Sequence, residues 1–180
     1  TFEADLGFAL TRVYTCEYGE KIANIVLNMY VNQHGQPTLA AAQAARENGN
    51  SPNTVVSSAV AICGKKMVQK AMDASKALLE LFQFSKMNDA REKFDYAEQL
   101  KSADKYKDAL LADGEDPCAE KLAACLNKAG HSVFIQFVQD YAKVNGGKLS
   151  TDALFAAVWT TLGWAALRGK KISKNTLMRL

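Results

Sequence analysis

Apolar residues recur at helical spacing along almost the whole chain. The first segment carries such a stripe up to residue 14, and after Gly19 the spacing resumes and runs to Tyr30. The first stripe consists of Phe2, Leu6, Ala9 or Leu10, Val13 and Tyr14. Strand-like alternation is almost absent and alanine is abundant, so the pattern predicts an all-α fold.

Three further helices follow from the pattern in the middle of the chain. A short alanine-rich helix is expected over residues 39–46, ahead of the polar turn Asn48-Gly49-Asn50. Apolar positions then keep helical spacing from Val55 to Phe82, which predicts one long central helix bent at Gly64. Residues 88–111 show only a narrow apolar stripe among charges, so we expect an outer helix there.

The remaining helices are marked by capping residues. Asp116 and Pro117 are favoured at the start of a helix, and Ser132 and Ser150 are candidate caps for the next two. Gly130 and Gly169 are candidate helix ends. The last long helix should therefore span residues 151–168.

The stretch from Ala153 to Leu167 contains no charged residue. It is too short to cross a bilayer comfortably, because a spanning helix needs about 20 apolar residues. A nearly uncharged helix in a helical protein usually lies at the centre. We expect this helix to occupy the middle of the core, with a basic tail over residues 169–180.

Length and charge narrow the architecture and the partners. The 180 residues suit one hydrophobic core, so we expect residues 1–180 to form a single helical domain with about six or seven helices. A net charge of +3 is small for a nucleic-acid-binding protein and argues against that class of partner.

The four cysteines predict two disulfides. Cys118 and Cys125 share one stripe of a helix, and seven residues of helical rise hold their Cα atoms about 10 Å apart. That separation is too wide for a disulfide, so each would pair with either Cys16 or Cys63. Both connectivities, 16–118 with 63–125 and 16–125 with 63–118, remain open. Two disulfides favour a secreted protein, whereas four buried, reduced thiols would favour a cytoplasmic one.

No motif in the sequence identifies a catalytic, metal or cofactor site. His34 and His131 are the only histidines, and both lie beside glycine at predicted helix ends, where the helix dipole favours them. The acidic turn 113–116 lacks the ligand spacing of a calcium loop, and the cysteine spacing does not match a zinc site. We therefore expect a protein without catalytic residues, metal or cofactor.

Charge is distributed unevenly along the chain. Residues 153–180 carry five basic side chains and no acid, whereas residues 86–116 carry nine acids and six bases. The basic residues form a candidate interaction surface: Arg168, Lys170, Lys171, Lys174 and Arg179. Opposed charges on different segments favour contacts between proteins, including copies of the same chain.

These patterns support a non-enzymatic, secreted helical protein that binds a protein partner or assembles with itself. One alternative is a carrier that holds a small apolar ligand between its helices, lined by aromatic residues. Another is a membrane-active protein that uses the 153–174 segment against anionic lipid, since this segment joins apolar residues to a cationic end.

Overall fold

A computed structural model describes residues 16–31 and 37–178 and confirms a mostly helical protein. The helices are more numerous and shorter than the six or seven predicted. They are α1 Glu17–Val31, α2 Pro37–Glu47, α3 Pro52–Ala61, α4 Lys65–Leu81, α5 Ala97–Ser102, α6 Lys107–Leu110, α7 Pro117–Ala129, α8 Val133–Val144, α9 Thr151–Arg168 and α10 Lys174–Leu177. A 3₁₀ turn, Ala103–Tyr106, joins α5 to α6. The predicted first stripe, residues 2–14, lies outside the described residues.

Helix α9 is the centre of the fold, as its lack of charge predicted. It packs against α4, α8, α7 and α1, and most of its residues from Ala153 to Ala166 are buried. An apolar surface on every side of a helix is stable only when other helices surround it. The core is therefore built around α9.

Aromatic rings fill the core beside α9. The ring centroid of Phe82 lies 5.0 Å from that of Phe134 and 5.2 Å from that of Phe137, both edge to face. Phe134 in turn lies 5.0 Å from Trp164, whose indole N–H donates to the Met87 carbonyl at 3.0 Å. These rings, several of which the carrier hypothesis placed around a ligand, pack against one another.

Helices α4 and α9 run in the same direction. Near their starts, Lys70 of α4 pairs with Asp113 at 3.0 Å and acts electrostatically on Asp152 of α9. Near their ends, Trp164 contacts the backbone of Met87, and Lys174 donates to the Gln83 side chain at 3.1 Å. Both helices therefore end on the same side of the molecule.

The predicted long helix over 55–82 is in fact two helices. Helix α3 ends at Ala61, the backbone of 62–64 is not helical, and α4 begins at Lys65. Helix α3 folds back on α2, and the Ser58 hydroxyl donates to the Ala41 carbonyl at 3.3 Å. The turn between α2 and α3 contains Gly49 at φ +75°, a conformation that glycine adopts without strain. We call α2, this turn and α3 the hairpin.

The predicted outer helix over 88–111 is also wrong for much of its length. Residues 85–96 are irregular, because aspartate side chains bind nearby backbone N–H groups in place of helical carbonyls. Asp89 accepts from the Arg91 amide at 2.9 Å, and Asp95 accepts from the Ala97 amide at 3.0 Å. The segment is tied to the core where the Val133 amide donates to the Ala90 carbonyl at 2.8 Å.

A two-residue antiparallel ladder, which the pattern did not predict, joins the segment before α7 to the segment before α9. Strand β1, Leu111–Ala112, pairs with β2, Lys148–Leu149. Gly147 passes so close to Leu111 that a Cβ there would lie 2.5 Å from its Cδ1 atom. The ladder brings the turn 113–116 next to the start of α9.

Two of the predicted caps are confirmed and one is not. Asp116 accepts from the Ala119 amide at 3.2 Å, and Ser150 accepts from the Ala153 amide at 3.3 Å. Ser132 precedes α8 but makes no capping bond, because its hydroxyl bonds to that of Thr161 at 2.7 Å.

Candidate interaction surfaces

The predicted disulfides are wrong. Cys16, Cys63, Cys118 and Cys125 are all free and exposed, and no two of them lie at disulfide distance. The reason is visible on α7, whose buried side consists of Ala119, Leu122, Ala123 and Leu126. The cysteine stripe lies beside that apolar face and points to solvent. The alternative of buried thiols is wrong for the same reason.

The described residues include one of the two histidines and were also compared with the expectations about metal sites and membrane spans. His131 is partly exposed, and its Nε2 atom lies 3.4 Å from the Glu92 carbonyl oxygen, while His34 lies outside the described residues. Across residues 16–31 and 37–178, no three His, Cys, Asp or Glu side chains form a group that could hold a metal ion. In the same residues, no helix is both long and apolar enough to cross a membrane.

The structure brings four of the five predicted basic residues together. Arg168, Lys170, Lys171 and Lys174 are exposed where α9 ends, and the Arg168 guanidinium lies 5.9 Å from the Trp164 ring centre. Arg179 lies outside the described residues. Lys86 is exposed on the loop that leaves α4 at the same side of the molecule. We call Lys86, Arg168, Lys170, Lys171 and Lys174 the basic end.

Carboxylates gather at the opposite side, where α7 and α9 begin. We call Asp113, Glu115, Asp116, Glu120 and Asp152 the acidic end. Asp113 pairs with Lys70 at 3.0 Å and Glu115 with Lys148 at 3.4 Å. Burial raises the pKa of Asp152, and the nearby Asp116 raises it further, while Lys70 acts in the opposite direction. Carboxylates are favoured at helix starts, which accounts for part of this cluster.

The hairpin carries exposed apolar side chains that the sequence analysis did not identify as a surface. Neither α2 nor α3 has a buried residue. The two helices contact each other, and their half-buried side chains are mostly small: Ala41, Ala42 and Ala45 on α2, and Val55, Ser58 and Ala59 on α3. The larger apolar side chains face solvent, with Leu39 43 %, Val56 62 %, Val60 63 % and Ile62 46 % exposed. These four residues are the hairpin surface.

Two depressions bear on the carrier hypothesis. One of about 580 Å³ lies on the surface between α1 and α7, with Ile25 and Cys125 in its lining and a 2.7 Å Glu17–Lys21 ion pair at its edge. Another, of about 470 Å³, lies between α4 and α6 and is lined mostly by charged side chains, among them Lys76, Glu80 and Lys105.

Comparison with known proteins identifies no relative of this chain. No protein-family model, curated protein or solved structure matches this chain. The function must therefore be argued from the hairpin surface and the basic end themselves.

Proposed function

We propose that this chain is a non-enzymatic self-assembly protein whose copies pair through the hairpin surface. The observation that carries the proposal is a helical hairpin, outside the core, that leaves valines at positions 56 and 60 more than half exposed. These valines lie one turn apart, so they project from the same side of α3.

The hairpin surface has the features of a binding site because the hairpin cannot bury it alone. Short helices are marginal in water unless an apolar face packs against another element. Here the half-buried side chains of α2 and α3 are mostly small, and Val56, Val60 and Leu39 remain in water. Grouped exposed apolar side chains commonly mark a protein interface.

A second copy of the chain is the partner that the charges favour. Residues 37–62 contain only two charged side chains, Arg46 and Glu47, which are adjacent and opposite in sign. Two identical hairpins therefore meet without net repulsion, and a two-fold axis allows each charge to face its opposite. Such a pairing is closed and would form a four-helix arrangement.

The rest of the proposal follows from the sequence and the thiols. The absence of a catalytic motif in the sequence supports a non-enzymatic role. Four exposed free thiols favour a reducing compartment over secretion, which had rested on the predicted disulfides. The carrier alternative gains no support from the core aromatics, since they pack against one another.

Sedimentation velocity over a wide concentration range tests the pairing. Wild-type protein should shift from monomer to dimer as its concentration rises. Val56→Glu with Val60→Glu should weaken the dimer by at least about 100-fold, because each buried valine contributes about 1.5 kcal/mol.

Val144→Glu is the matched control, since Val144 is 72 % exposed at the end of α8, away from the hairpin. It should leave dimerisation unchanged. A wild-type protein that stays monomeric at every concentration, or equal loss of dimer from the control, would refute the pairing.

A further inference from the structure

One aromatic side chain stands apart from the packed rings of the core. Phe84 is 89 % exposed, although it follows the fully buried Phe82 by only two residues. It lies on the loop that leaves α4, between Gln83 and Ser85. Because Gln83 accepts a hydrogen bond from the Lys174 ammonium at 3.1 Å, this loop is held against the basic end.

The cations of the basic end have no carboxylate partner among the described residues. In the part of the chain that the structure describes, none of Lys86, Arg168, Lys170, Lys171 and Lys174 takes part in an ion pair. Cations at helix C-termini are favoured by the helix dipole, and this accounts for some of them. It does not account for Phe84.

Lys170 and Lys171 are held in place by the end of α9. The φ of Lys170 is +58°, and the Lys170 and Lys171 amides donate to the Leu167 and Ala166 carbonyls at 3.1 and 2.9 Å. This is the usual bonding pattern of a helix that ends in a left-handed residue. The helix end therefore fixes the backbone of two exposed lysines.

We infer that the basic end docks on an anionic lipid bilayer, with Phe84 inserted at the depth of the headgroups. Lysines beside a membrane attract its acidic lipids, and an exposed aromatic ring gains by leaving water for the interface. The apolar anchor is Phe84 rather than α9, since Phe155, Val158 and Trp164 are buried in the core.

Two other anionic partners fit the structure less well. In the acidic end of another copy, three of the five carboxylates already have partners, since Asp113 and Glu115 are in ion pairs and Asp116 accepts two backbone N–H bonds. Single-stranded nucleic acid binds in a positive groove lined by aromatic rings, whereas Phe84 projects from a loop. A bilayer matches both the projection and the charge.

Co-sedimentation with phospholipid vesicles tests the inference. Binding is expected to vesicles containing about one-third phosphatidylserine and not to phosphatidylcholine vesicles, and high salt should reverse it. Replacing Lys86, Lys170 and Lys171 with glutamine leaves the Lys174–Gln83 bond in place and should weaken binding by about 100-fold, or about fivefold per charge. Phe84→Ala should weaken it by about tenfold.

The matched control replaces Lys101, Lys107 and Lys121, three exposed lysines outside the basic end, with glutamine. It produces the same net charge and should change binding less than threefold, because in the docked orientation these lysines are not part of the surface that faces the bilayer. Thermal unfolding of each variant checks that it folds. Soluble glycerophosphoserine, which carries the headgroup without the bilayer, should not compete.

Several results would overturn the inference. They are no binding of wild-type protein to the phosphatidylserine vesicles, equal loss from the control, an unaffected Phe84→Ala variant, competition by the soluble headgroup, and tighter binding to a short nucleic acid. The Val56→Glu, Val60→Glu variant should still bind vesicles, so failure of hairpin pairing and failure of membrane docking are separate outcomes.

Discussion

At the scale of single residues, aspartates decide where helices begin and where they fail. Asp116 was predicted as a helix cap from Asp-Pro, and it does cap α7. It also accepts from the Thr151 amide at 2.8 Å, which the sequence could not reveal because the two residues are 35 positions apart. Asp89 instead accepts from the Arg91 amide within the irregular segment 85–96, and Asp95 accepts from the amide of Ala97, the first residue of α5. Composition alone does not separate these roles.

Replacing Asp116 with alanine should lower the free energy of unfolding by about 2 kcal/mol. The change removes one cap and leaves the first amides of two helices without their side-chain acceptor. Urea denaturation followed by circular dichroism measures the difference. Asp113→Ala is the control: its side chain is 90 % exposed and makes one ion pair, so the loss should stay below about 0.5 kcal/mol. Equal losses would contradict the double role of Asp116.

At the scale of elements, periodicity predicted where helices lie along the chain better than it predicted which helices pack together. The last long helix was predicted at 151–168, where α9 lies, because a cap, an uncharged stretch and a glycine all agree. The spacing of apolar residues continues through 62–64, so one long helix and two separate helices give the same pattern. The stretch that contains Val56 and Val60 was therefore predicted as part of one long central helix, and the hairpin was missed.

The hairpin should be the least protected of the described helical regions in dilute solution. Its backbone amides should exchange with deuterium on the order of 100-fold faster than those of α8 and α9, because few buried contacts oppose local opening. Mass spectrometry of peptides from 37–61 measures this rate. Protection should increase at concentrations where copies pair, and not in the Val56→Glu, Val60→Glu variant. Protection equal to that of α9 in the monomer would contradict this account.

At the scale of the whole molecule, what the sequence could not provide was the relative placement of segments. The sequence shows the uneven charge along the chain, and four of the five residues of the basic end are among the predicted basic residues. The parallel course of α4 and α9 then adds Lys86 and Phe84 to one end and gathers carboxylates at the other. The disulfide prediction failed at this scale, because helical spacing says which residues share a stripe and not where the stripe faces.

All four thiols should react in the native protein. Alkylation without denaturant should add four groups to the intact mass, since every cysteine is exposed. A reducing agent should leave the melting temperature unchanged, because no covalent tie is lost. Each disulfide, if present, would contribute about 2 to 4 kcal/mol. Fewer than four adducts, or a melting temperature that falls on reduction, would contradict the free thiols.

The position of Trp164 has a practical consequence for fluorescence. Trp159 and Trp164 are the only tryptophans in the chain, and both lie on α9. Trp164 is 1 % exposed and donates a hydrogen bond to the Met87 carbonyl. Its fluorescence emission should therefore shift to the red when the core unfolds. Opening of the hairpin alone leaves that environment intact. Intrinsic emission is therefore a reporter of global unfolding that is blind to the hairpin, and a dye on Cys63, just past α3, would supply the missing signal.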